Sequence, residues 1–424
     1  MPRCSAAGLD FRIIPAGFNA PLEFLTGFTI REEDGTMPYD AELNFVFWSP
    51  TKIIFGENTA LHVAMEVEGL KCKKALIVTD GDLVRNTDLP SKIKKALGNL
   101  CVGIFSDVEP DSGIHIVNQG AKHGAELGAD CIVSVGGGSA IDTAKGIAIL
   151  LKEGGKLQDY VGFQVLTRPQ TPHIVIPTTA GTGSEVTYVA VIKDHEAGRK
   201  LIFGDNNIVP NVAILDPKMT EGLPQGLTAA TGMDALSHAI EALHSLQREP
   251  IADGIALHAI RLIKEFLPKA VDHGKDMMAR GQMLIAASMA GIAFSNSQLG
   301  MVHALAHSVG AKFKVHHGLA NSILLPPCIR YNADACGDAY LDILSAMGVD
   351  IRGISPDEAG DLLADKIIEF TKRLGLPQRL RDVGVPEAEL KECIELALSD
   401  AAIVYNPKDI TDATEVLKVY QQTW

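Results

Sequence analysis

Along the first half of the chain, short runs of apolar, often β-branched residues alternate with stretches whose apolar positions recur every three or four residues. Lys73 to Gly81 (KKALIVTDG) is one apolar run, closed by Asp80, and Cys101 to Val108 (CVGIFSDV) is another. A helical pattern follows over roughly Ser112 to Leu127, and Asp130 then opens a run that ends at Val135 against three glycines. His173 to Thr187 (HIVIPTTAGTGSEVT) reads as a buried strand entering a glycine- and threonine-rich loop, and Val212 to Pro217 (VAILDP) is the last strand-like run. Near-continuous apolar strands separated by helices predict a parallel sheet covered on both faces. Beyond Pro217 the texture changes, and from Gly226 onward Leu, Ile, Met and Ala recur at helical spacing almost throughout. The pattern predicts an α/β N-terminal domain with a Rossmann-like parallel sheet over residues 41–220 and an all-α C-terminal domain over residues 221–424. Residues 1–40 are irregular and form an N-terminal extension. Open sheets of this kind bind ligands outside the carboxyl ends of their strands, and clefts between domains are common pockets.

Composition narrows the class. A length of 424 residues suits two domains, and 46% apolar with 21% charged residues is ordinary for a globular enzyme. The formal net charge of −14, with no basic stripe, speaks against nucleic-acid and anionic-lipid partners. Seven cysteines are scattered without a CxxC, as reduced thiols in a cytoplasmic protein would be. The apolar run Met283 to Phe294 (MLIAASMAGIAF) is too short to span a bilayer and suits a buried helix. The N-terminus lacks the basic and apolar regions of a secretory signal.

Two loops carry the first candidate chemistry. In VSVGGGSAIDTAKG the strand ends at Val135, and Gly136, Gly137 and Gly138 precede Ser139 and a helix. Glycines let a phosphate approach the backbone, and the N–H groups and dipole of a helix start favour an anion. A tight strand-to-helix turn is the alternative, but three successive glycines exceed what such a turn needs. In PTTAGTGSE, Thr178, Thr179 and Thr182 offer hydroxyls at the end of another strand. Together the loops read as two sides of one nucleotide site. Asp80, closing an earlier strand, would accept both hydroxyls of an adenosine ribose and repel a 2′-phosphate, favouring NAD over NADP; a plain turn residue is the alternative.

The helical half holds a second constellation. Gly300 to Asn321 (GMVHALAHSVGAKFKVHHGLAN) contains four of the thirteen histidines. In ATGMDALSHAIEA, Asp234 and His238 stand four apart and share one helix face. A buried carboxylate there wants a partner, and His303 and His317 complete a set of one Asp and three His. Such a set suits Fe2+, Zn2+, Ni2+ or Mn2+, and its ligand types do not select among them.

The motifs GGGSAID, PTTAGTGSE, ATGMDALSHAIE and GMVHALAHSVGAKFKVHHGLAN resemble the iron-containing (group III) alcohol dehydrogenases, from about Phe45 to beyond Tyr331. The resemblance implies the two-domain architecture shared with dehydroquinate synthase, with Asp234, His238, His303 and His317 holding the metal. It places Gly137, Gly138 and Ser139 at the pyrophosphate, with Gly136 and Asp142 in the same motif, Asp80 at the ribose, and Thr178, Thr179 and Thr182 along the NAD(H) site. Lys200 falls near a ribose hydroxyl and His307 beside the nicotinamide, which makes His307 the catalytic candidate for proton relay. His316 carries no family role and reads as an exposed turn residue. The segment Val108 to Asp111 (VEPD) departs from the Pro-Asn-Pro the family often has, so no cofactor contact carries over to Asp111.

The reaction implied is reversible oxidation of a primary alcohol or small diol to an aldehyde, with the metal as Lewis acid. A transhydrogenase, a hydroxy-acid dehydrogenase acting on a substrate such as 4-hydroxybutyrate, and a dehydroquinate synthase-like lyase are the rivals. The family uses lactaldehyde, 1,3-propanediol, ethanol and butanol among its substrates. It also assembles into homodimers or larger homo-oligomers, often through an N-terminal strand, here Asn44 to Gly56 (NFVFWSPTKIIFG).

Overall fold

A computed structural model describes residues 43–195 and 199–424; the extension assigned to residues 1–40 lies outside the described residues. The strands are β1 (Lys52–Phe55), β2 (Ala75–Asp80), β3 (Cys101–Val108), β4 (Cys131–Gly136), β5 (Gly162–Phe163), β6 (His173–Pro177), β7 (Val189–Asp194), β8 (Arg199–Gly204) and β9 (Val212–Leu215). Six of them form a sheet in the order β1-β9-β6-β4-β2-β3, every pair parallel. The helices of this half are α1 (Val63–Gly69), α2 (Gly81–Asn86), α3 (Leu89–Leu97), α4 (Ile114–Leu127) and α5 (Gly138–Glu153). Alternation along β2 sends Leu76 and Val78 into the layer with Val117 of α4 and Ile147 of α5. Ala75 and Ile77 face the opposite layer, with Val63 of α1 and Ile93 of α3. Both faces are covered, which is why the strands read as unbroken apolar runs.

The sheet order sets the site. β2, β4 and β6 are neighbours, and Gly136 pairs with Pro177 at their carboxyl ends. Asp80, the glycine loop and the threonine loop therefore emerge side by side. A second sheet, β5-β8-β7, was not legible in the hydropathy; β7 and β8 form an antiparallel hairpin just after the threonine loop. Of the segment Asn44 to Gly56, only Lys52–Phe55 is a strand, and it pairs within its own sheet, with β9.

The last strand ends at Leu215, and helices follow: α6 (Gln225–His244), α7 (Pro250–Asp272), α8 (Met277–Ser297), α9 (Met301–Phe313), α10 (His317–Tyr331), α11 (Ala333–Ala346), α12 (Pro356–Arg373), α13 (Ile394–Leu398) and α14 (Ala413–Gln422). From Thr228 to His244, every residue of α6 is buried, so that helix is the post around which the others pack. Among the described residues α8 alone is long and apolar enough to cross a membrane, but it is mostly buried and packs against α6 and α7. The core of this half runs on without a break into Ala180, Val186, Ala213 and Leu215 of the sheet half.

Candidate active site

Three helices supply the polar cluster. Asp234 and His238 lie one turn apart on α6, His303 is in the first turn of α9, and His317 opens α10. One ligand atom from each of the four lies within 4.8 Å of all the others. The Asp234 Oδ1 atom is 3.9 Å from the Nε2 atoms of His238 and His303 and 3.4 Å from that of His317. A tetrahedral ion about 2.1 Å from nitrogen and oxygen ligands separates them by about 3.4 Å, close to this spacing. Asp234, His238 and His303 are buried, and His317 is half-buried.

The electrostatics suit a cation. Burial is the main influence holding the His238 pKa at about 4 and that of His303 at about 3, both against the pull of Asp234. His317 is pushed well below its ordinary value by burial and by the neighbouring rings of His307 and His303. Three neutral imidazoles and a carboxylate thus turn lone pairs towards one another. Asn321, one turn beyond His317, answers them: its Nδ2 lies 2.7 Å from Asp234 Oδ1, 3.1 Å from His303 Nε2 and 3.2 Å from His317 Nε2. Its Oδ1 is buried without a hydrogen-bond partner. A centre in which one amide serves three lone pairs is chemically matched to a divalent ion of the iron and zinc kind.

Supporting side chains fix the rings. Glu241, fully buried on α6, accepts N–H bonds from Gly300 (3.1 Å) and Val302 (2.8 Å) through Oε1. Its Oε2 meets His303 Nδ1 in a short contact. That carboxylate makes Nδ1 the protonated nitrogen and leaves the Nε2 lone pair facing Asp234. His238 is stacked between Phe294, with ring centroids 4.5 Å apart, and His303, at 4.6 Å. His307, one turn after His303, stays outside the cluster, stacked on His317 at 5.2 Å with Nδ1 2.8 Å from Asp400 Oδ2. Burial would raise the Asp400 pKa, but His307 and the Ala402 N–H hold it below the ordinary value. His316 is exposed at the start of α10.

The two loops lie next to each other. α5 begins with no side-chain cap. A β-carbon on Gly137 would stand 3.1 Å from Thr179, and one on Gly138 would stand 2.7 Å from Thr182, so larger residues would fill the space between the loops. Thr178 donates its N–H to the Gly136 carbonyl (3.0 Å). Asp80 caps α2 by accepting from the Leu83 N–H (2.7 Å), with Oδ2 close to Gly136. Asp111, left without a role by the sequence, donates its N–H to Ser139 Oγ (3.2 Å) and pairs its carboxylate with Lys200 Nζ at 3.0 Å. Asp142 points inward, accepting from the Val191 N–H (3.0 Å). The loops, Ser139 and Lys200 thus share one edge of the sheet, a cradle of N–H and hydroxyl donors suited to a dinucleotide phosphate.

Asp400, Glu241 and Asn321 were not singled out from the sequence. Glu241 and Asn321 carry the helical spacing that would have flagged them, at i+7 from Asp234 and i+4 from His317.

Similarity to known proteins agrees with this geometry. Residues 50–217 match the family description "Iron-containing alcohol dehydrogenase", and residues 228–424 match "Fe-containing alcohol dehydrogenase family, C-terminal". The 1,3-propanediol dehydrogenase of Klebsiella pneumoniae is 38% identical over 90% of this chain and 99% of its own length. The NAD-dependent methanol dehydrogenase of Bacillus methanolicus is 37% identical over 88% of this chain and 98% of its own. A crystal structure of 1,3-propanediol oxidoreductase superposes with a TM-score of 0.87 at 38% identity, covering 90% of this chain and all of that one. Sulfoacetaldehyde reductase from Bifidobacterium kashiwanohense, solved with NAD+, gives 0.81 at 28% identity, over 90% and 99% of the two chains. With its two motif loops, its sheet and its helical half all inside these matches, the chain belongs to the iron-containing alcohol dehydrogenase family.

Proposed function

We propose that the protein is an NAD(H)-linked, iron-dependent alcohol dehydrogenase that interconverts a primary alcohol or small diol and its aldehyde. The observation that carries this reading is the convergence of Asp234 Oδ1 with the Nε2 atoms of His238, His303 and His317 in one buried centre. Those four residues hold the cation, with Fe2+ the native ion and Zn2+, Ni2+ and Mn2+ compatible with the same donors. Gly136, Gly137, Gly138 and Ser139 receive the pyrophosphate, Thr178, Thr179 and Thr182 line the cofactor, Asp80 accepts the adenosine ribose hydroxyls and Lys200 approaches a ribose hydroxyl. NAD as the cofactor is supported by the Asp80 carboxylate beside Gly136, and by the NAD dependence in the name of the methanol dehydrogenase relative. Asp142 serves the site indirectly, by fixing β7 through Val191.

When bound, the cation supplies Lewis acidity to the alcohol oxygen and the nicotinamide accepts hydride. The chain's own residues do the rest. Glu241 keeps the His303 lone pair on Nε2, and Phe294 and the burial of the centre exclude water. Asp400 fixes the proton of His307 on Nδ1, which leaves Nε2 free to take the proton of the alcohol hydroxyl and release it towards the cleft.

Assembly into a homodimer or larger homo-oligomer is supported by the exposed Phe45, Val46 and Trp48 just before β1 and Phe55 at its end, β1 being a terminal strand of the sheet among the described residues. The free thiols of the six described cysteines fit a cytoplasmic location.

Metal analysis of anaerobically purified protein, run beside an alcohol panel followed by NADH absorbance at ~340 nm, tests the proposal. Metal and turnover are expected in the wild type and both should be lost in His303→Ala. A His303→Ala protein with full metal content and full turnover would sink the assignment.

A further inference from the structure

Two histidines outside the buried centre meet on the rim of the sheet half. His115 lies in the first turn of α4, and His195 directly follows the last residue of β7. The backbone brings them together: Gly113 and Lys193 form a parallel β-bridge, and the Lys193 N–H donates to the Ser112 carbonyl at 2.9 Å. Both side chains are exposed, and their rings meet edge to face, with centroids 5.5 Å apart and planes at 63°.

Gly113 shows what lies between them. Its φ of −91° and ψ of 165° suit any residue, and at the start of α4 it leaves the helix without the side-chain cap that Ser or Asp would supply. Space, not conformation, accounts for glycine here. A β-carbon would stand 2.7 Å from His195 Nε2 and 2.8 Å from His115 Nδ1, so both nitrogens border one small hollow. A metal ion binds imidazole nitrogen at about 2.1 Å, and small rotations of two exposed rings bring both nitrogens to that distance from one ion. Paired imidazoles suit borderline ions such as Zn2+, Ni2+ and Cu2+, whereas hard ions prefer oxygen. The positive end of the α4 dipole opposes a cation, but solvent weakens that field at an exposed site.

We propose that His115 and His195 form a second metal site, separate from the Asp234 centre, which takes a divalent ion of this borderline kind through two ring nitrogens. Water completes its coordination shell. The ion ties the end of β7 to the start of α4. It thereby joins the hairpin that bears Lys200 to the segment that bears Asp111, whose N–H and carboxylate already reach Ser139 and Lys200. The site stands on these residues alone and does not depend on the catalytic reading given above.

The test begins with binding of untagged, full-length, Fe2+-loaded protein to an immobilised Ni2+–nitrilotriacetate chelate, which is too bulky to enter the buried centre. Wild type should bind, and His115→Gln and His195→Gln should each weaken binding by at least about tenfold, because a single imidazole loses the chelate advantage. The double variant should stay within about twofold of either single variant, since either change breaks the same chelate. Gly113→Ala, which fills the hollow, should also weaken binding, whereas His258→Gln, at an exposed position on α7, should not. Total metal after dialysis against Zn2+ should be about two ions per chain in wild type and about one in His195→Gln. Wild type that does not bind the chelate overturns the proposal, as do single losses that add in the double variant. Full binding by Gly113→Ala, a loss in His258→Gln as large as in His195→Gln, or a metal count that His195→Gln leaves unchanged overturns it equally. A buried centre that holds no ion gives about one ion per chain in wild type and none in His195→Gln, a result that overturns the centre and supports this site.

Discussion

Glu241 offers a sharp test of how the proposed metal centre is held, because its two oxygens do different work. Oε1 accepts from the Gly300 and Val302 N–H groups at 3.1 and 2.8 Å, and Oε2 faces His303 Nδ1. In Glu241→Gln the amide oxygen must stay on the two backbone donors, since turning the NH2 towards them would face donor with donor. The NH2 then meets His303 Nδ1, which has to become the acceptor, and the ring proton moves to Nε2. There it occupies the lone pair that faces Asp234. One mismatched buried polar pair costs about 1–3 kcal/mol, and removing such a partner typically weakens metal binding by about 10- to 100-fold. Glu241→Ala works differently. It leaves His303 free to choose its tautomer but orphans two buried N–H groups and opens a cavity, at about 3–5 kcal/mol of stability. The expectation is a crossing: Glu241→Gln loses more metal affinity, and Glu241→Ala loses more stability. Chelator competition with Zn2+ or Fe2+ reads the first, and thermal unfolding of metal-free protein reads the second. A Glu241→Gln protein that binds metal as tightly as wild type would refute the tautomer argument.

Further expectations follow from groups away from the metal. His173 on β6 is buried with Nε2 2.7 Å from Ser134 Oγ, and burial, with the Lys145 charge, lowers its pKa to about 3. The unfolded chain protonates this ring near pH 6.5 and the folded chain does not, so its share of stability is complete above pH 6.5. That share is lost as pH falls towards 3, at about 1.4 kcal/mol per pH unit. Urea unfolding of His173→Gln should therefore decline less than wild type between pH 6.5 and 4.5, and parallel declines would contradict it. Gly183 has φ +65°, and a β-carbon there would lie 2.7 Å from Gly291 Cα and 3.0 Å from the Ala287 carbonyl, both backbone atoms of α8. Gly183→Ala should cost about 2–5 kcal/mol in thermal unfolding, whereas Gly226→Ala, with open space around it, should be neutral or stabilising by up to about 1 kcal/mol. Gln298 ends α8 at φ 69°, ψ 179°, a region that favours glycine, and its side chain pairs with the Tyr188 hydroxyl at 2.9 Å. Gln298→Gly should melt above Gln298→Ala, by about 1–2 kcal/mol, because alanine keeps the strain and loses the hydrogen bond; the reverse order would contradict it.

The parts of this molecule that were legible in the sequence are those written as local periodicity. Apolar runs ending at Asp80 and Val135, and the run from His173 into the threonine loop, marked the central strands because a sheet covered on both faces needs unbroken apolar strands. Asp234 and His238 were legible together because a spacing of four makes one helix face. The β7–β8 hairpin was not, since charged Lys193, Asp194, Arg199 and Lys200 at its tip mask two short strands as a polar loop. Asp400 was out of reach for another reason. It sits 93 residues from His307 in an irregular segment, and nothing local distinguishes it from any acidic residue that starts a turn.

The residues missed share one property that explains why the sequence, even where helical spacing points at Glu241 and Asn321, does not assign their roles. Glu241, Asp400 and Asn321 each act by finishing the hydrogen bonding of another group, and their partners arrive only with the tertiary fold. Glu241 sits on α6, yet the N–H groups it satisfies belong to the start of α9. Asn321 is on α10 but serves Asp234 of α6 and His303 of α9. Ligand spacing can be imposed by one helix, whereas ligand orientation requires a second element to arrive in register. The three helices that bring Asp234, His238, His303 and His317 together are largely buried around that cluster, so packing fixes the supporting groups to the same tolerance as the core. That is why a change of one atom type at Glu241, which leaves volume and helix propensity nearly intact, should reach the metal more directly than many larger changes on the surface.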